Sequence, residues 1–261
     1  MNQKLLLYML LAVLTITVVS ALPSGPTQPI VPAKSERYPT WVPQTVAAEA
    51  GNVTEFNTNG SSITRTWQGY FGNITGMIVL GDANNNTLYD WYLASPQGEI
   101  YAVRNAIVPT WTSVRCADQT ELQAEDVALG VNESVDEDAV NLTFVIGGAP
   151  DQKARYPASD FTHPLFYVAN QTIVDNSCPV VTLYNSSREP SPYFKEVMLS
   201  DGSANMIYTG IIAHTLNPFA ESDGFDARTH DFEMIVGENG HGNDIGPSAI
   251  ISTYWFYLEL E

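Results

Sequence analysis

The chain has 261 residues, with 29 acidic and 11 basic side chains and a formal net charge of −18, yet only 15% of its residues are charged. Soluble domains usually carry roughly a quarter, so the acidity comes from a shortage of Lys and Arg. So few basic residues exclude a nucleic-acid footprint, while 44% hydrophobic and 11% aromatic residues argue against disorder and for one large core or two small ones.

In chain order, a short polar stretch carrying Lys4 precedes an apolar run over 5–19, and Val19-Ser20-Ala21 offers small residues for cleavage. This pattern predicts a secretory signal peptide over 1–21. The alternative is an uncleaved anchor, because 5–22 is barely long enough to span a bilayer. Either way the rest of the chain is expected outside the cell, touching membrane only through this segment if it is kept. Pro23, Pro26, Pro29, Pro32, Pro39 and Pro43 mark 22–44 as an extended linker. The folded domain is expected over 45–261.

Short β-rich runs follow. The stretches 64–71, 77–80, 87–93 and 99–103 read as four strands of an antiparallel meander, separated by turn residues at Gly72-Asn73, 84–86 and 96–98. Asp118 and Glu121 have capping-box spacing and predict a short helix, with 133–138 as a second helical turn. Strands are expected again at 139–146, 166–169, 180–184, 194–199, 205–213, 230–236 and 249–260, with Asp201-Gly202 as a hairpin turn. The prediction is all-β: an antiparallel β-sandwich with a small helical insertion. Two packed subdomains meeting near 106–138 are an open alternative.

Two cysteines, Cys116 and Cys178, are expected to pair in an oxidising compartment; two reduced buried thiols are the other reading. Eight sequons begin at Asn52, Asn59, Asn73, Asn85, Asn132, Asn141, Asn170 and Asn185. Chance placement of this many Asn, Ser and Thr yields roughly two or three N-x-[ST] sites, so N-glycosylation is expected, with all eight asparagines facing solvent.

Asp82, Asn84, Asn86 and Asp90 have the alternate spacing of calcium-loop ligands, although Thr87 replaces the usual glycine and Leu93 the bidentate glutamate. A second ligand group could combine Glu238, His241, Asn243 and Asp244 with Asp223, Asp226, His230 and Asp231, against the plainer reading of an acidic Gly-rich loop. The four histidines, His163, His214, His230 and His241, fit structural or exposed roles better than a catalytic base. No G-x-S-x-G elbow occurs, and no catalytic residue is assigned. Trp67, Tyr70, Trp91, Tyr92 and Trp111 could stack on sugars, although alternating strands usually bury such residues.

Trp67-Gln-Gly-Tyr-Phe-Gly-Asn-Ile-Thr-Gly-Met-Ile-Val-Leu-Gly-Asp82, Pro96-Gln-Gly-Glu-Ile-Tyr101, Asn176-Ser-Cys-Pro179 and Asp231-Phe-Glu-Met-Ile-Val-Gly-Glu-Asn-Gly-His241 resemble an uncharacterised family of secreted archaeal cell-envelope proteins. The resemblance covers most of the chain after the linker. It implies an envelope setting and no activity. The expected function is a glycosylated, non-catalytic structural or interaction protein of the cell surface. Its partners would be other envelope proteins or further copies of itself, in a surface layer or filament. The competing expectation is a calcium-dependent module that binds or acts on carbohydrate.

Overall fold

The computed structural model describes residues 22–27, 30, 32, 34–39, 42–132, 134, 136–146, 161–203, 205–218, 220–239 and 252–261. The signal segment 1–21 and the loop 240–251, with His241, Asn243 and Asp244, lie outside the described residues. The elements run β1 (Trp67–Gly72), β2 (Gly76–Gly81), β3 (Thr87–Leu93), β4 (Gly98–Val103), β5 (Arg115–Cys116), α1 (Gln119–Leu129), α2 (Val140–Thr143) and β6 (Val145–Ile146). Then come β7 (Phe166–Val168), β8 (Gln171–Ile173), β9 (Pro179–Tyr184), β10 (Pro190–Ser200), β11 (Met206–Ile211), α3 (Ala213–Leu216), β12 (Phe232–Gly237) and β13 (Trp255–Leu260). The fold is all-β and antiparallel with a small helical element.

A seven-stranded sheet forms the centre, in the order β13-β4-β11-β10-β9-β6 with β5 beside β10. All six residues of β4 are buried, as expected of a strand flanked on both edges and covered on both faces. Alternation along it feeds two cores. Tyr101 and Val103 join Trp111, Phe161, Phe166, Val168 and Ile173 under the β7–β8 hairpin. Ile100 and Ala102 join Leu122, Leu129, Val140, Phe144, Met234 and Val236 under α1, α2 and the β1–β12 ribbon. The sandwich is therefore a broad sheet with smaller layers on each side, and each fully buried large side chain contributes about 1.5–3 kcal/mol.

Helix α1 starts as its sequence predicts: the Glu121 amide donates to Asp118 Oδ1 (3.0 Å) and the Asp118 amide donates to Glu121 Oε2 (2.9 Å). Gly130, at φ 70°, closes it in the left-handed conformation. Cys116 and Cys178 form the disulfide, closing a loop of 62 residues. Cys116 stands opposite Leu199 on β10, and Val180 of β9 stands opposite Val197. The bridge thus joins two strands laid end to end along one edge of β10.

Three expectations are corrected. The first four strands do not form a meander. Only β2 and β3 pair with each other, while β1 pairs with β12 and β4 with β11 and β13. A local pattern identifies a strand but not its mate, and these mates lie far along the chain. The stretch 139–146 is not one strand. Asp126 takes the amides of Val140 and Asn141, which turns 140–143 into a helical turn and leaves only Val145–Ile146 as strand. In 133–138, the described residues form turns rather than a helix, with Asp136 Oδ2 accepting from the Asn132 amide. Strands before and after 106–138 share the central sheet, which runs across that boundary.

Candidate interaction surface

The β2–β3 hairpin stands apart from the central sheet, and its strands pair only with each other. Its side chains are apolar on both faces. Ile78 opposes Trp91 and Leu80 opposes Tyr89 on one face; Met77 opposes Tyr92 and Val79 opposes Asp90 on the other. All of these are exposed, as is Leu88, and Tyr92 reaches 71%. Tyr89 and Trp91 meet edge to face, ring centroids 4.9 Å apart. The hairpin meets β13 at its base, where Gly76 lies so close to Leu260 that a Cβ would meet the leucine Cδ1 at 2.3 Å.

The turn at the tip contains the proposed calcium ligands. Asp82 Oδ1 accepts the amides of Asn84 and Asn86 (both 2.9 Å), and Oδ2 accepts Asn86 Nδ2 (2.8 Å). These bonds, Asn86 foremost, hold the Asp82 carboxyl below its ordinary pKa. Asp90 lies on β3 opposite Val79, three residues back from Asp82 and hence roughly 10 Å along the strand. Asp82 thus caps the turn through Asn84 and Asn86, while Asp90 is set back along β3.

Six sequon asparagines, Asn52, Asn59, Asn73, Asn85, Asn132 and Asn170, are exposed, and Asn185 is half-buried. Asn73 precedes the hairpin and Asn85 sits at its tip with φ 63°. Asn141 departs from the expectation: it is only 3% exposed, packed in the α2 turn that Asp126 caps, where a glycan has no room.

The aromatic group separates. Trp111 lies in the first core; Trp67 packs on Phe144 and Tyr208, and Tyr70 on Phe256. Only Trp91 and Tyr92 of the five are exposed.

The second ligand group also divides. His230 Nε2 is 2.9 Å from Asp226 Oδ1, and Arg228 pairs with the same carboxylate. Burial pushes the Asp226 carboxyl up, but the hydrogen bonds from Arg228 and His230 outweigh it and hold the group at about 2. Burial raises Glu233 to about 7 although it accepts from the Phe225 amide. Asp223 is exposed in a bridge with Thr229. Asp231 faces His214 instead, a partner with no local spacing to reveal it. His163 is structural: its Nε2 accepts the Cys178 amide at 3.0 Å and its Nδ1 lies 2.8 Å from the Pro164 carbonyl oxygen.

Sequence reasoning identified the hairpin strands but missed that they form an exposed surface, because apolar alternation of this kind suits a buried strand equally well. Among the described residues no helix is long and apolar enough to cross a membrane. No family model matches the chain, and neither a curated protein nor a solved structure matches it at a significant level.

Proposed function

We propose that this is an exported, glycosylated interaction protein of the cell envelope, without catalytic activity, that assembles with further copies of itself through the β2–β3 hairpin. The observation that carries this reading is the hairpin: eight large apolar or aromatic side chains on two opposite faces, all exposed. Contiguous apolar surface of this kind marks a contact site, and an isolated two-stranded hairpin is marginal in water without one. Among the described residues both hairpin edges are also unpaired and open to strand addition. The disulfide, the exposed sequons and the resemblance to archaeal envelope proteins support export. Glycans at Asn73 and Asn85 would flank the hairpin and leave its middle clear.

The test is sedimentation and electron microscopy of the purified glycoprotein beside an Ile78→Ser, Trp91→Ser variant. The native protein is expected to form filaments or sheets, and the variant to stay monomeric with an unchanged melting temperature. A native protein that stays monomeric at high concentration would remove the self-assembly reading. A second reading rests on the exposed pair Tyr89 and Trp91, whose rings could stack on sugars. Saturable binding on a polysaccharide array, lost on Trp91→Ser, would favour it instead.

A further inference from the structure

We infer that His214, Glu221 and Asp231 form a binding site for one divalent transition-metal ion of the zinc class. The three side chains come from separate segments that backbone hydrogen bonds bring together. The Ala213 amide donates to the Asp231 carbonyl at 2.7 Å, which sets α3 and its His214 against the start of β12. The His230 amide donates to the Ser222 carbonyl at 3.2 Å, which folds the loop carrying Glu221 back onto the same place. His214 Nε2 is then 3.7 Å from Glu221 Oε1 and 3.7 Å from Asp231 Oδ1, and the three ligand atoms lie within 4.8 Å of one another.

Those separations are too long for hydrogen bonds. Yet the His214 side chain is only 6% exposed, and its Nδ1 has no hydrogen-bond partner. A buried ring nitrogen without a partner is rare, and the other nitrogen, Nε2, faces the two carboxylates at 3.7 Å. A cation on Nε2 would stand between the imidazole and the two carboxylates and neutralise them. The spacing suits that occupant. Metal–ligand bonds of roughly 2.0–2.2 Å in a tetrahedral site place ligand atoms roughly 3.4 Å apart. The two separations from His214, 3.7 Å each, are a few tenths of an ångström wider, the two carboxylates lie within 4.8 Å of each other, and Glu221, 62% exposed at its side chain, is free to close the gap. The imidazole favours a transition ion over calcium or magnesium, which prefer all-oxygen shells.

The outer support is present as well. The Ile74 amide donates to Asp231 Oδ2 at 2.6 Å and leaves Oδ1 directed at His214. Three protein ligands leave a fourth position for solvent beside Glu221. Because Ile74 leads into β2, a bound ion would also steady the base of the exposed hairpin. The site does not depend on what the hairpin contacts.

The test is equilibrium dialysis of the full-length glycoprotein, freed of metal by chelator, against Zn²⁺ and separately Ca²⁺, with melting curves alongside. One equivalent of Zn²⁺ is expected to bind and to raise the melting temperature, whereas Ca²⁺ does neither. Glu221→Gln changes an exposed side chain and should fold normally; it is expected to weaken Zn²⁺ binding at least tenfold. His214→Asn is expected to abolish binding and the Co²⁺ absorption bands of the substituted site. Failure of the native protein to take up stoichiometric Zn²⁺, or native-like Zn²⁺ binding by Glu221→Gln, would overturn the assignment.

Discussion

The carboxylate of Asp126, on the buried face of α1, accepts the amides of Val140 (2.6 Å) and Asn141 (3.1 Å). It thereby caps α2 from a different helix, since Ala139 has no side chain that could do so. Asp126→Ala would leave two buried amides without their acceptor and is expected to cost about 3 kcal/mol in denaturant unfolding. Asp126→Asn, which keeps one acceptor oxygen, should cost less. A loss under about 1 kcal/mol for the alanine variant would mean that α2 is shaped by something else. The contrast with Asp118 shows what a sequence discloses at this scale. Asp118 and Glu121 are three residues apart, so their capping box was legible. Asp126 and Val140 are fourteen residues apart across a chain reversal, and the apolar string 140–146 reads locally as strand. His214, Glu221 and Asp231 were illegible for the same reason: only the folded backbone puts them together.

Among the elements, the disulfide loop and the hairpin carry separate predictions. Cross-linking a loop of 62 residues restricts the unfolded chain by about 4 kcal/mol in the entropy model. A Cys116→Ser, Cys178→Ser double variant is expected to lose stability of that order. Its denaturant midpoint should fall accordingly, most visibly where β5 and β9 share the edge of β10. The pairing itself followed from two cysteines in an expected exported chain. The exposure of β2 and β3 did not follow from anything local, because strands with apolar residues on both faces usually lie inside a sheet, as β4 does. The hairpin has its own hydrogen bonds but little covering them, so its amides should exchange quickly in the monomer. Hydrogen exchange on assembled protein is expected to show β2 and β3 protected at least tenfold more than in the Ile78→Ser, Trp91→Ser monomer. Equal protection in both would place the contact elsewhere.

At the scale of the whole molecule, the unusual charge composition becomes a statement about pH. Burial raises the carboxyl pKa of Glu196 and of Glu99 well above their ordinary 4.5. Groups shifted upward on folding contribute stability that is complete below about 4.5 and is lost as pH rises through the folded value. Asp201 is shifted the other way: burial opposes it, but hydrogen bonds from Asn205, Ser203 and Thr110 hold it below its ordinary 3.8. Its contribution is present above that value and lost as pH falls further. The melting temperature is therefore expected to peak between about 4 and 5, close to the sequence pI of about 4.3, and to decline toward alkaline pH. Two causes of the decline act in the same direction and can be separated. The net charge of −18 repels itself more strongly as pH rises, and salt screens that part. The buried part does not respond to salt but responds to mutation. Glu196 Oε2 accepts the Ile235 amide at 2.8 Å, joining the central sheet to β12, while Oε1 has no partner. Glu196→Gln keeps that acceptor without the charge. It is expected to melt near the native value at pH 4.5 and several degrees higher at pH 8, with the difference unchanged in 1 M salt. A variant no more stable than the native protein at pH 8 would assign the alkaline loss to surface repulsion alone.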